Sequence, residues 1–200
     1  MTLFPAFLKL AGRRCLIVGA GPVAEEKIEG LLRTGAEIRV VAPRATPRIR
    51  AWAREKKLRW DARKFRSSDL AGAFLAVAAT SSPALHAQIY RQARRRNVLC
   101  NAVDDPEHCG FYYGAVVRRG ALQIAISTGG HSPALAQRLK KQIERDYGAE
   151  YEAWLEELGK LRKRLFAKTI SPERRRALLR RLASKSSFEK FLRSRKRRSK

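Results

Sequence analysis

Two hundred residues leave room for one ordinary domain and an appendage, with enough chain to build a real core. The 44% hydrophobic content fits a globular chain, and no apolar run approaches the roughly 18 residues that a bilayer crossing needs. The net charge of +26 favours polyanionic partners: nucleic acid, an anionic membrane, or a small substrate carrying many carboxylates.

The N-terminal Leu3–Leu8 is short and lacks the basic start of a secretory leader, so cytoplasmic residence is expected. Strands read at 14–19, 37–41, 58–61, 74–79 and 98–103, with helices at 22–34, 46–56 and 83–96 between them. Apolar strands alternating with helices predict a parallel sheet covered on both faces. The first strand runs straight into Gly19-x-Gly21-x-x-Ala24. Gly19 can take the positive φ of a tight turn, Gly21 lets backbone approach a pyrophosphate, and Ala24 packs the helix on the strand. The pyrophosphate then sits at a helix N-terminus, where N–H groups and the dipole favour anions. Alone this spacing is weak, and a tight strand–helix turn without a ligand would also produce it. The strand before it and the helix and strand after it favour a dinucleotide site.

The second strand ends in Val41-Ala42-Pro43-Arg44, without the acidic residue that usually reads a ribose. Arg44 is either a contact to a 2′-phosphate or a solvated surface cation, which leaves NAD and NADP both open. Cys15 and Cys100 fall in strands and read as buried thiols, whereas Cys109 has no assigned role. His86, His108 and His131 show no ligand spacing, and no structural metal site is expected.

After the fifth strand comes Asn101-Ala102-Val103-Asp104-Asp105-Pro106, which places the Asp104 carboxylate where a dinucleotide's reactive end would lie. Asp105, pointing the other way and preceding Pro106, reads as structural. Phe111–Val117 and Ala121–Ser127 then predict an antiparallel hairpin turning at Arg118-Arg119-Gly120. Ser132-Pro133 opens a helix to about Asp146, repeating the cap signature of Ser82-Pro83. Trp154, Leu158, Leu161 and Leu165 mark one apolar helical face, and Ser171-Pro172 starts a further helix. Residues 151–200 carry 18 Lys and Arg against 5 Glu, half the excess charge in a quarter of the chain. The stretch from Ser194 to Lys200 lacks an apolar face and is expected to be disordered.

Several of these segments together resemble the siroheme-synthase family, and within it the precorrin-2 dehydrogenase module. They are Pro5-x-Phe7-x-x-Leu10, Leu16–Ala24, Val41-Ala42-Pro43, Ala78-Ala79-Thr80, Asn101-x-Val103-Asp104-x-Pro106 and Ile126–Ala136. The likeness covers about residues 3–146. It implies an α/β fold: a Rossmann-type domain over 1–110, an α+β dimerisation and substrate segment over 111–147, and a basic helical region over 148–200. The activity implied is NAD-dependent oxidation of precorrin-2 to sirohydrochlorin by a homodimer, with iron insertion as a further activity in some members. The family carries Val-Ala-Pro at the ribose position, which favours NAD.

By the same resemblance Asp104 is the essential carboxylate, acting as a base or holding the macrocycle. Gly19, Gly21, Pro22, Val23, Pro43, Arg44, Thr80 and Asn101 would hold the cofactor. Ser127, Thr128, His131 and Ser132 would meet a polycarboxylate tetrapyrrole, and His131 could serve metal insertion in a bifunctional member. The rival class is a non-enzymatic module that senses NAD(H) and touches nucleic acid through its basic tail. No helix-turn-helix, zinc finger or aromatic RNA-binding motif accompanies that tail.

Overall fold

The computed structural model describes residues 2–198. The chain divides into two compact units, one ending at Tyr112 and the other starting at Tyr113. In the first, β1 (Arg14–Val18), β2 (Glu37–Val41), β3 (Arg59–Asp61), β4 (Leu75–Ala78) and β5 (Leu99–Ala102) form one parallel sheet. The helices are α1 (Pro22–Leu32), α2 (Pro47–Arg54) and α3 (Pro83–Arg95). Strand order is β3-β2-β1-β4-β5, the Rossmann order, in which the chain reverses direction of growth between β1 and β4.

Alternation along the strands explains why two helical layers are needed. Cys15 and Ile17 of β1 pack with Ile38 and Val40 against Ile28 of α1 and Ile49 and Trp52 of α2. Leu16 and Val18 point the other way, with Val41, Ala76 and Ala78, onto Ile89 and Ala93 of α3. Successive side chains face opposite sides, so a strand apolar at every position requires cover on both. Burial pushes the Cys15 thiol up to about 11 and the Cys100 thiol up to about 12, so both are inert apolar side chains.

A compact charge network closes the β3 edge. Asp69 is 4% exposed and accepts hydrogen bonds from Arg63 Nη1 (2.9 Å) and the Arg66 backbone N–H (2.8 Å), with Arg39 Nη2 at 3.1 Å. The Arg63 hydrogen bond outweighs desolvation and holds the Asp69 carboxyl below the usual carboxylate range. A carboxyl lowered on folding contributes its stability above the unfolded pKa of about 4 and loses it as pH falls through the folded value. Asp69→Asn is therefore expected to lower stability at pH 7 by about 3 kcal/mol, because two guanidinium groups lose their buried partner. Urea titrations at pH 7 and pH 3 check this: the gap between variant and parent should shrink at the lower pH.

The second unit holds a hairpin, β6 (Ala115–Arg119) and β7 (Leu122–Ile126), and helices α4 (Pro133–Asp146), α5 (Glu150–Phe166), α6 (Pro172–Leu182) and α7 (Lys185–Arg198). The hairpin differs from its predicted form. Register pairs Arg119 with Leu122, which leaves a two-residue turn at Gly120-Ala121, and Phe111–Gly114 is not strand. The start of that stretch is drawn to β5 instead, where Gly110 donates to Cys100 O (2.7 Å) and Asn101 Nδ2 donates to Phe111 O (2.9 Å).

The backbone is also helical through Arg198, where disorder was expected from Ser194. Arg and Lys are good helix formers, and Phe188 packs its ring on Tyr151 and Trp154, anchoring α7 to α5. Ser199 and Lys200 lie outside the described residues. Only Val117 and Ala136 are buried among the described apolar residues of this unit.

Candidate active site

The loops that leave β1, β2, β4 and β5 share the C-terminal edge of the sheet, where α/β folds place ligands. Gly19 is locked there by geometry. Its φ is +104°, its N–H donates to Val41 O (3.0 Å), and a Cβ on it would lie 2.0 Å from the Ala79 carbonyl oxygen. Gly21 is a different case. Its φ of −86° suits any residue, and a Cβ there would meet nothing within 4 Å. The space above it is open.

Gly21 is also the N-cap of α1, and no side chain caps that helix. Thr46, Ser82, Ser132 and Ser171 each cap their own helix by accepting an N–H from Ile49, Leu85, Leu135 and Arg174. The first-turn N–H groups of α1 and the positive end of its dipole therefore face the open space, an arrangement that fits a pyrophosphate. Pro22 occupies the first helical position, and Val23, 42% exposed, is an apolar side chain in the same turn.

Other expected residues gather on the same edge. Thr46 N–H donates to Ala20 O (3.1 Å), tying the loop that carries exposed Pro43 and Arg44 to the glycine turn. Thr80 lies against Gly19, and its Oγ1 accepts the Ser82 N–H (3.3 Å). Val103 N–H donates to Ala78 O (2.9 Å), so the next residue, Asp104, is held at the rim beside the β4 exit. Asp104 is exposed, with φ +59°. A non-glycine residue in that conformation is costly unless its surroundings fix it. Asn101 is placed otherwise: it is 7% exposed, and its Nδ2 donates to Phe111 O and Cys109 Sγ. Its donors are engaged inside the protein, which leaves only its carbonyl oxygen for a ligand.

In the second unit the predicted substrate residues form one hydroxyl-rich turn. Ser127 Oγ accepts the Gly129 N–H, Thr128 Oγ1 accepts the Ser132 N–H, and Ser132 Oγ accepts the Leu135 N–H, each at 3.2 Å. Each hydroxyl retains a proton it can donate to a carboxylate. His131 is exposed in this turn. Among the described residues, no group of three or more His, Cys, Asp or Glu is arranged to hold a metal ion.

Residues 6–115, which contain the whole glycine-lined edge, match the family model described as "Putative NAD(P)-binding". Residues 119–146, which contain the hydroxyl-rich turn, match "Sirohaem biosynthesis protein central". The chain belongs to the siroheme-synthase family.

Among relatives in that family, the siroheme synthase of Neisseria meningitidis serogroup C is 41% identical over 144 residues, 72% of this chain and 30% of that protein. The siroheme synthase of Photorhabdus laumondii is 34% identical over 177 residues, 88% of this chain and 38% of that protein. The chain thus spans about a third of the length of these siroheme synthases. Among solved structures, SirC, a precorrin-2 dehydrogenase, superposes with a TM-score of 0.79 at 29% identity, covering 96% of this chain and 98% of that one. The dinucleotide this siroheme-synthase family edge takes is a nicotinamide cofactor, NAD or NADP.

Sequence reasoning missed one cluster beside Asp104. The Asp105 carboxylate turns inward, as its structural reading requires, and accepts from His108 Nδ1 at 2.8 and 2.9 Å. His86, 5% exposed on α3, brings its Nδ1 to 3.5 Å from the same carboxylate. The Cys109 thiol donates to Ala102 O (3.1 Å) and Asp105 O (3.2 Å). One signal was available: His86, Ile89 and Ala93 share the buried face of α3 at helical spacing.

Proposed function

We propose that this protein oxidises precorrin-2 to sirohydrochlorin with NAD as acceptor, on the route to siroheme. The observation that carries this reading is the likeness to the precorrin-2 dehydrogenase SirC, which extends over nearly the whole of both chains. The open, uncapped N-terminus of α1 supports it, because it fits the pyrophosphate of the cofactor.

The oxidation removes a hydride and a proton from the macrocycle, and the bound nicotinamide supplies the hydride acceptor. Asp104 takes the proton: it is an exposed carboxylate at the sheet edge with no hydrogen bond among the described residues. Ser127, Thr128, Ser132 and His131 receive the substrate's carboxylates in the hydroxyl-rich turn, in a field made attractive by the net positive charge. Pro43 and Arg44 flank the adenosine ribose, and the Val-Ala-Pro sequence before Arg44 favours NAD.

The active species in this proposal is a homodimer in the cytoplasm. Exposed Phe4, Phe7, Tyr112 and Tyr113, and the scarcity of buried apolar side chains after residue 112, support pairing with a second copy. The three unpaired cysteines suit a reducing compartment.

The test is anaerobic incubation with precorrin-2 and either NAD or NADP, followed by absorbance. Sirohydrochlorin formed with NAD, in step with NADH, is the expected result. A preference for NADP would reassign Arg44 to a 2′-phosphate. Absence of turnover with either cofactor by folded protein would overturn the enzyme reading in favour of a sensing module. Adding ferrous iron to the completed reaction reads out the chelatase alternative.

A further inference from the structure

The segment from Asn101 to Phe111 is tied to itself and to α3 on both sides of Asp104. Asp105 N–H donates to Ala102 O (3.3 Å) and Gly110 N–H to Cys100 O (2.7 Å). The Cys109 thiol bridges Ala102 O and Asp105 O, and Asn101 reaches across to Phe111 O. Asp105 carries the largest share of this scaffold. It accepts from His108, whose ring stands edge-on to Tyr90 at 5.5 Å between centroids, and it faces His86 one helical turn earlier on α3. His86 Nε2 is buried without a hydrogen-bond partner among the described residues, and its other ring nitrogen, Nδ1, is the one that faces the Asp105 carboxylate.

The residue that this scaffold presents is Asp104, exposed and at φ +59°. A left-handed aspartate persists only where the surrounding chain over-determines it. We propose that Asp105, braced between His86 and His108, is a positioning residue that holds Asp104 in its left-handed conformation and so sets the rate of oxidation without touching substrate or dinucleotide. This rests on the role of Asp104 proposed above. With Asp105 removed, the loop relaxes, Asp104 moves toward ordinary backbone angles, and its carboxylate leaves the position from which it takes the proton. A displacement of about 1 Å in a reacting group is enough for a roughly 100-fold loss in rate.

Three variants test this: Asp105→Ala, Asp105→Asn, whose amide oxygen still accepts from His108, and His108→Gln, which loosens one side of the brace. Expected results are a roughly 100-fold fall in kcat for Asp105→Ala, about 10-fold for His108→Gln, and recovery to within about 5-fold of the parent for Asp105→Asn. The dissociation constant for NAD, read by tryptophan fluorescence, and KM should stay within about 2-fold throughout. In an Asp104→Ala background, Asp105→Ala should cost little more, because it acts only through Asp104.

Hydrogen exchange of the amides at 103–111 gives a readout independent of turnover and should quicken in Asp105→Ala. Parental kcat, parental exchange, or loss of NAD binding in parallel with kcat would each overturn the proposal. If Asp105→Ala does not fold, His108→Gln and Asp105→Asn decide it by the same criteria. Failure of the parent protein to oxidise precorrin-2 would instead count against the proposed function, and the exchange measurement would still decide whether Asp105 fixes the loop.

Discussion

Gly19→Ala is expected to lower the melting temperature by about 20 °C and to abolish dinucleotide binding. The new methyl would sit 2.0 Å from Ala79 O and 2.7 Å from Ala79 C, both backbone atoms, and the site already has φ +104°. No rotamer relieves a backbone clash, so β1 and β4 must separate where Ala79 N–H donates to Val18 O (2.8 Å). Left-handed strain of about 1–2 kcal/mol and overpacking of about 1–3 kcal/mol together remove roughly 4 kcal/mol. That loss corresponds to the stated fall for a unit of this size. Gly21→Ala is the matched control. Its methyl meets nothing within 4 Å, so the melting temperature should hold. It nevertheless occupies the space proposed for the pyrophosphate, and NAD affinity should fall at least 10-fold. Calorimetry and a fluorescence titration on the two variants separate the glycine that the fold needs from the one that the ligand needs.

Asp104→Ala is expected to reduce kcat by about 100- to 10,000-fold, the range for loss of a positioned acid–base group. NAD affinity should be unchanged, since the glycine turn is untouched. A fall in kcat at constant KM identifies Asp104 as the base, whereas a rise in KM for precorrin-2 identifies it as a group that holds the macrocycle. Asp104→Gly adds a diagnostic. Glycine accepts φ +59° without strain, so this variant should be inactive yet more stable than the parent by up to about 1 kcal/mol. A gain in stability alongside lost activity would show that the left-handed aspartate is kept at a cost to the fold.

Much of the architecture was legible in the sequence because its signals are local. Strands β1, β4 and β5 are short, mostly apolar runs bounded by polar or turn residues, and β2 alternates in the same local way. The Ser-Pro starts at Ser82, Ser132 and Ser171 each mark a true helix N-terminus. The glycine turn was legible for the same reason, although the contact that makes Gly19 obligatory, Ala79 O, lies 60 residues away and leaves no trace in the local pattern.

The misread hairpin has the same origin. Phe111-Tyr112-Tyr113 has strong strand propensity, but Asn101 on the preceding strand captures Phe111, and propensity yields to that side-chain contact. The cluster of His86, Asp105 and His108 could not be assembled from the sequence for a further reason, although the burial of His86 was readable. Two of its members are three residues apart, and the third comes from a helix that the sheet order brings alongside. Neither spacing resembles a motif.

The distribution of buried side chains has a consequence for how the chain comes apart. The first unit has two dense layers around its sheet, whereas the second has only Val117 and Ala136 as buried apolar side chains among the described residues. Opening free energies follow burial, so the two parts belong to different cooperative blocks. A single unfolding free energy is then not a property of this protein. Helices α4–α7 would melt and exchange their amides well before the sheet does, and the lower transition would move with protein concentration to the extent that a second copy supplies the missing burial.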